Sequence, residues 1–345
     1  MIYIGMDISS KSFVVHGIDE KKRVLVNGEI EPTRAGLKGM IKGLGVQKKL
    51  VIFEAGNQLK WIAKTLKDME GVEIHVVHPN EIKWISQSSG KTDKIDARKL
   101  AHLGRGDMLP RKVHIVEGKI RELRELLSAR QRLQSKRVAL INSIRGQMKQ
   151  EGHSLPAKFF QSRHWREKLQ GMKIIGEVQK LIIESYMDSI AGLLIAEKKL
   201  TEKIGTIKDK GIELLESIPS VGILSSRVII SALDDVGRFD SKKCVAKYGA
   251  LTPRIYQSGG ITHLGRINRD GRQEVRRVLL QCAHVIVRMR SYGARPLREF
   301  FERIMKRRGK KIAIVAVARK LLTIAYGVLK SKTAYDPSRL TGVTA

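Results

Sequence analysis

The stretch GKTDKIDARKLAHLGR, Gly90 to Arg105, places Asp93 and Asp96 three residues apart in a basic run that also holds Lys91, Lys94, Arg98 and Lys99. At that spacing two side chains share one face of a helix. Taken singly, such a pair reads as a solvated, salt-bridged surface. Its meaning depends on two carboxylates further upstream. Asp7 closes the apolar run YIGMDI (3–8), and Glu54 closes LVIFEA (50–55).

The intervening text supplies a frame for these positions. YIGMDI, FVVHGI (13–18) and RVLVNGEI (23–30) alternate with polar turns and predict an antiparallel three-strand meander. TRAGLKGMIKGL (33–44) and NQLKWIAKTLKDM (57–69) carry helical spacing, and VEIHVVHP (72–79) is a further strand stopped by Pro79. The order is three strands, helix, strand, helix, strand, helix. Strand ends in an open sheet converge at one edge, and a following helix can lay a face across it. Asp7, Glu54, Asp93 and Asp96 would then meet. Four close carboxylates repel by several kcal/mol, and divalent cations remove that penalty. Two magnesium ions about 4 Å apart can activate a nucleophile and stabilise the leaving oxygen of a phosphodiester. The basic neighbours Lys91, Lys94 and Arg98 would hold the strand being cut.

Composition points the same way. The 345 residues include 66 Lys and Arg against 34 acidic residues, a net charge of +32. The excess implies a polyanionic partner, most often nucleic acid. No uninterrupted apolar run reaches the roughly 18 residues of a spanning helix, and MIYIGMDIS is no signal peptide, so no membrane is expected. Cys244 and Cys282 lack zinc spacing and read as free, reduced thiols of a cytoplasmic protein.

From about Val116 to Gln150, and again over roughly Glu177 to Lys208, long amphipathic helices suggest an antiparallel coiled-coil arm or dimerisation element, with EGHSLPAKFFQSRHW (151–165) as its tip or an irregular insert. Near Gly211 a third region begins, where Pro219-Ser-Val-Gly222 between apolar helices resembles a helix-hairpin-helix facing a phosphate. Residues 254–345 hold 21 Lys and Arg against 5 acidic residues, and a phosphate-contacting surface is expected there. The expected architecture is an α/β N-terminal domain (1–110), a long-helix middle (111–210) and a mainly α C-terminal domain (211–345).

The runs IGMDISSKSF, IFEAGN and KTDKIDARKLA resemble the DEDD transposases of insertion sequences, of the one-ten type related to the pilin-gene invertase Piv. The resemblance continues through LLESIPSVGILSSRVIISAL, FDSKKCVAKYGALTPRIYQSGG, GRINRDGRQEVRRVLLQCA and KKIAIVAVARKLLTIAYGVLK. It implies a RuvC-like, ribonuclease H-like N-terminal domain and a C-terminal domain whose serine, here Ser258, joins covalently to DNA. It also implies donor and target DNA as substrates, a structured guide RNA, and acidic and serine sites from different subunits of a homo-oligomer, a dimer or tetramer acting at the nucleoid.

On its residues alone, Ser258 precedes Gly-Gly, which lets a backbone approach a ligand and frees the serine from a regular element. Arg254, Arg266, Arg269, Arg272, Arg276 and Arg277 surround it in sequence. Arginine forks bind phosphate oxygens and would stabilise a pentacovalent transition state, while a serine hydroxyl needs a metal or base to take its proton. An ordinary basic turn is the competing reading. His263 and His284 are candidate proton shuttles, phosphate contacts or core residues. Trp61 and Trp84 are expected to pack in the first domain, Tyr248 to support the loop, and Tyr256 either to support it or to stack on a base.

Three other activities fit parts of the pattern. A junction resolvase or metal-dependent nuclease would share the acidic site and use water. An actin-like ATPase would share the opening G-x-D-x-S-x-K-S but needs a later Asp-Gly-Gly-rich loop, and none follows. A non-enzymatic nucleic-acid binder leaves the four carboxylates unexplained.

Overall fold

The computed structural model describes residues 1–82, 92–172, 176–258, 260–268 and 270–341. Lys91, Arg269 and Trp84 lie outside the described residues. The chain forms two compact units, 1–115 and 116–345.

The first unit follows the expected order: β1 (Ile2–Ile8), β2 (Phe13–Ile18), β3 (Val24–Ile30), α1 (Arg34–Gly43), β4 (Lys49–Glu54), α2 (Leu59–Lys67), β5 (Val72–Val77) and α3 (Asp93–Arg105). The sheet order is β3-β2-β1-β4-β5. β2 runs antiparallel to β1 and β3, and β4 runs parallel to β1 and β5. This mixed sheet is compatible with a ribonuclease H-like domain. Alternation along the strands gives it two apolar faces. Ile4, Met6, Val51 and Phe53 pack with Leu37, Ile41, Ile62 and Leu66 of α1 and α2. Ile52 and Val77 pack instead with Leu100 and Leu103 of α3. Trp61 joins the first layer, stacked on Phe13 with ring centroids 5.7 Å apart.

One contact sets how α3 sits. A Cβ on Gly5 would lie 1.9 Å from the Ala97 carbonyl oxygen and 2.7 Å from the Ala101 amide nitrogen. The helix backbone therefore rests directly on the backbone of β1. Thr92 caps this helix, its hydroxyl accepting from the Ile95 amide at 3.3 Å. Asp93 and Asp96 fall in the first turn and His102 and Arg105 in the last, which complements the helix dipole at both ends.

The second unit comprises α4 (Gly118–Gln150), α5 (Trp165–Gln170), α6 (Glu177–Gly205), α7 (Lys210–Glu216), α8 (Ile223–Leu233), α9 (Lys242–Tyr248), β6 (Pro253–Ser258), β7 (Ile261–Ile267), α10 (Gln273–Ile286), α11 (Arg295–Arg308), α12 (Lys310–Ser331) and α13 (Ser338–Thr341). α4 and α6 pair antiparallel. Arg130 donates to the Thr201 hydroxyl at 2.8 Å, Arg137 binds the buried Glu197 at 2.7 and 3.2 Å, and Ile144 and Met148 meet Ile183, Met187 and Ile190. The segment between them forms the tip, with Leu155 and Trp165 closing its small core.

The other helices gather around α12. By length and composition α12 could cross a membrane, which the uninterrupted-run argument missed because Arg319 and Lys320 break the run. Half of its apolar window is buried inside this unit, where Val317, Leu321, Leu322 and Ala325 form the core. Arginines close the helix ends around it. Arg227, 6% exposed, donates to the carbonyls of Ile204, Gly205 and Ile207 and to Glu216. Arg124 and Arg238 donate to the terminal carbonyls of α8 at Ser231 and Ala232. Burial, then the charge of Arg272, pulls the Arg124 pKa down. The Tyr248 ring packs in this corner, edge-on to Phe239 and beneath the Arg238 guanidinium. Both cysteines are free, and Cys282 is buried.

The reading of Ser258 as lying outside a regular element is corrected. It is the last residue of β6, in a two-stranded ribbon with β7. The ribbon closes at its base through Asn268 N to Thr252 O (2.8 Å) and Arg272 N to Tyr248 O (2.7 Å).

The two apolar layers depend on the bare backbone at Gly5. Gly5→Ala is expected to destabilise the full chain by roughly 3 kcal/mol through overpacking. Gly39→Ala, in α1 with open space around it, should stabilise by about 0.5–1 kcal/mol. Urea unfolding of the two variants beside the parent checks both signs.

Candidate active site

The sheet register carries Asp7 and Glu54 to one edge. Gly5 pairs with Ile52 and Met6 with Phe53 in the parallel β1–β4 ladder, so Asp7 and Glu54 are next in line on neighbouring strands. Side chains two apart share a face. Gly5 and Ile52 face α3, and Asp7 and Glu54 therefore do too. At the other end of the helix Gly104 lies against Ile52 and Tyr3. α3 thus runs antiparallel to β1, and its first turn, with Asp93 and Asp96, lies toward Asp7. The backbone brings all four acidic positions to one end of one face.

Their side chains differ in setting. Asp7, Glu54 and Asp96 are half-buried, while Asp93 is exposed, as are Lys94 and Arg98. Asp7 and Glu54 are engaged with neighbours. Asp96 Oδ1 is buried and has no hydrogen-bond partner among the described residues. Also among those residues, no three acidic, His or Cys side chains gather as a ligand set. A hard, all-carboxylate donor set is the type that suits magnesium, calcium or manganese, and the orphaned Asp96 oxygen is a lone pair such an ion would satisfy. The residues fit a divalent cation in kind.

A pair of histidines on the same side of the sheet was not anticipated from the sequence. His16 lies opposite Gly5 on β2, and its ring stacks on His102 of α3 at 6.2 Å and 29°. His16 Nδ1 meets Asn27 Oδ1 at 3.1 Å, and its Nε2 is buried without a partner among the described residues. Burial holds the His102 pKa below its ordinary value, helped by the charges of Arg98, His16, Arg105 and Lys22. The only sequence signal was a histidine inside the apolar strand FVVHGI.

In the second unit the ribbon presents Ser258 at its tip. Ser258 lies opposite Ile261 and Tyr256 opposite His263, so Tyr256 and His263 share the face of Ser258. Ser258, Tyr256 and His263 are exposed, as are Ile255 and Leu264 on the other face. The arginines that crowd Ser258 in sequence are spread out in space. Arg254 and Arg266 are exposed near the ribbon base, and four extended residues put Arg254 about 13 Å from Ser258 along the strand. Arg272 pairs with Glu274 at 2.8 Å. Arg276 and Arg277 lie on α10, half-buried and exposed respectively. His284 ends up in the last turn of α10. At the turn between α7 and α8, Ser220 has φ 71° and Gly222 starts α8 without a side-chain cap.

A mixed sheet with acidic residues at adjoining strand ends, on a strongly basic chain, defines a class of enzymes that act on nucleic acid phosphodiesters. The comparisons with known proteins narrow that class. Residues 4–152 match the DEDD transposase pattern of the IS110 type, and residues 212–298 match the transposase IS116/IS110/IS902 family. A probable family 20 transposase of Pseudomonas aeruginosa is 22% identical, covering 97% of this chain and 98% of that protein. The transposase for insertion sequence element IS1111A of Coxiella burnetii is 25% identical, covering 96% and 90%. The pilin gene-inverting protein of Moraxella bovis is 29% identical, covering 76% and 74%. The chain belongs to this IS110-type family of insertion-sequence transposases and is a DNA recombinase.

The lowered His102 pKa fixes the sign of a pH effect. Protonation is harder in the folded chain than in the unfolded one. The stability this group contributes is therefore complete above the ordinary histidine value near 6.5 and is lost as pH falls through the lower folded value. His102→Gln is expected to flatten the fall in melting temperature on the acid side of about pH 6.5, read by thermal scans from pH 8 to 5.

Proposed function

We propose that this transposase cuts and rejoins DNA through a covalent link between Ser258 and a phosphate, served by Asp7, Glu54, Asp93 and Asp96. The convergence of the four acidic positions, by strand register and by the seat of α3 on Gly5, carries the reading. The exposed Ser258 at a ribbon tip supports it.

The Ser258 Oγ attacks phosphorus and gives its proton to a base, the bond from phosphorus to the sugar oxygen breaks as the bond to serine forms, and that oxygen takes up a proton and leaves as a hydroxyl. The reverse step, with the partner strand's sugar oxygen as nucleophile, rejoins the DNA and releases serine. Asp7, Glu54, Asp93 and Asp96 would hold magnesium, in one or two ions, which supplies charge neutralisation at the phosphate and a more acidic hydroxyl. Exposed Lys94 and Arg98 hold the strand at the acidic end, and Arg254, Arg266 and Arg277 contact phosphates further from the serine. The partners are donor and target DNA, a second copy or more of this chain, and a structured guide RNA. The net charge of +32 is compatible with holding RNA and DNA together. The activity belongs in the prokaryotic cytoplasm, at the nucleoid.

Ser258→Ala is expected to abolish the covalent protein–DNA adduct seen on denaturing gels and to lower strand cutting by on the order of 10³-fold or more. Unchanged cutting in that variant would make water the nucleophile and the protein a resolvase-type nuclease. Sequencing of nuclease-protected RNA from protein expressed with its native flanks should give one discrete species with segments complementary to two DNA sites.

Magnesium or manganese at 100 times its dissociation constant should stabilise the parent by about 2.7 kcal/mol. Asp93→Ala combined with Asp96→Ala should erase that shift in a thermal scan. An equal shift in parent and variant would place the ion elsewhere.

A further inference from the structure

Charge works against the end of the first sheet that carries Asp7 and Glu54. Asp7 pairs with Val14 of β2 on one side, and Glu54 pairs with Val77 of β5 on the other. Between them the β1–β4 ladder has its last pair at Met6 and Phe53, one residue short of both carboxylates. Neighbouring strands lie about 4.8 Å apart, so two carboxylates at adjoining strand ends repel each other when no cation lies between them. Each is anchored on its outer side, and the repulsion therefore acts on the seam between β1 and β4.

A side chain closes that seam just past the ladder. Gln58, four residues after Glu54, donates from Nε2 to the carbonyl oxygen of Ser9, two residues after Asp7, at 2.7 Å. Its Oε1 accepts from the Trp61 indole N–H at 3.2 Å. Both ends of the carboxamide are thereby used, and its orientation is fixed. Gln58 stands at the residue before α2, yet its side chain makes no capping bond to that helix. It does not serve the local role for which Ser, Thr, Asp or Asn is favoured there. The receiving loop is itself tied. Ser9 Oγ accepts from the amides of Lys11 and Ser12 at 3.2 and 3.1 Å and donates to the Ser12 carbonyl at 2.7 Å. Phe13 follows as the first residue of β2, and its ring stacks on Trp61 with an interplanar angle of 23°. Ser9, Gln58, Trp61 and Phe13 thus form a closed ring of contacts that joins the loops leaving β1 and β4.

We propose that Gln58 is a positioning residue for the acidic site: its bridge to Ser9 holds β1 and β4 together where Asp7 and Glu54 lie, and so sets the separation of the two carboxylates before a cation arrives. This role rests on the reading of Asp7 and Glu54 as cation ligands. Gln58 acts through the backbone of Ser9, without touching the cation. When the bridge is removed, the charge of the two carboxylates opens the seam. A cation must then draw them back as it binds, and its affinity falls because the site is no longer preorganised.

The test measures manganese binding to the full-length protein without DNA, by the electron paramagnetic resonance signal of the free ion, beside thermal scans of the metal-free chain. Asp7→Asn with Glu54→Gln should lose the binding that the parent shows. Gln58→Leu keeps the bulk of the side chain and removes both of its bonds, and should weaken manganese binding about tenfold. Trp61→Phe keeps an aromatic ring beside Phe13 and removes the bond that orients the carboxamide. It should give a smaller loss in the same direction, and it decides the case by the same outcomes if Gln58→Leu does not fold. Ile41→Val, a trimmed core residue of the same unit, should lower the melting temperature and leave manganese affinity at the parent value. Parent-like binding by Gln58→Leu, with binding lost in the carboxylate variant, overturns the positioning role and leaves the acidic site standing. Undiminished binding by the carboxylate variant overturns the acidic site and the role of Gln58 with it. An equal loss of affinity in Ile41→Val assigns the effect to stability at large and also overturns the positioning role.

Discussion

The seat of α3 on β1 is the constraint from which the acidic end of the first unit follows. Gly5 has no side chain, so the Ala97 and Ala101 backbone sits against the strand. That closeness fixes the height of the helix above the sheet, and the packing of Gly104 near Tyr3 and Ile52 fixes its direction. With height and direction set, the first turn can only lie toward the strand end that carries Asp7 and Glu54. The cap by Thr92 and the helix dipole then make two aspartates favourable there on structural grounds alone. The same pair thus serves helix stability and, in the proposed reading, metal binding, and the two roles do not compete.

The second unit manages a large positive charge by different means. Several arginines are turned inward and matched to helix-end carbonyls, as at Arg227, Arg124 and Arg238. A guanidinium with five donors can close several such carbonyls at once, which a lysine cannot. Other cations are left exposed, as at Lys136 and Lys149 on α4 and at Lys310 and Lys311 on α12. Burial of half the apolar window of α12 explains why a helix with membrane-like composition serves as the centre of this unit.

Much of this organisation was legible in the sequence where a period or a strand end carried it. The five strands of the first sheet, the helices between them, the long paired helices and the arrival of Asp7 and Glu54 at adjoining strand ends all rest on apolar alternation or helical spacing. The parts that were not legible have a common cause, contacts between residues with no shared period. His16 and His102 meet because two elements cross, not because of their spacing. The ribbon around Ser258 has exposed Ile255, Ile261 and Leu264, so its alternation marks no buried face. Extended backbone then separates arginines that look adjacent on paper, since each residue of a strand adds over 3 Å.

The ribbon has one more consequence. Both of its faces are open, and the residues from Arg254 to Ser258 are all exposed. Such a hairpin adds little to the stability of the unit that bears it. The fold therefore imposes almost no selection on which side chains stand there, beyond the backbone anchors at Thr252, Asn268, Tyr248 and Arg272. Whatever restraint acts on Tyr256, Ser258 and His263 therefore comes from what the ribbon meets outside the chain rather than from the packing of the core beneath it.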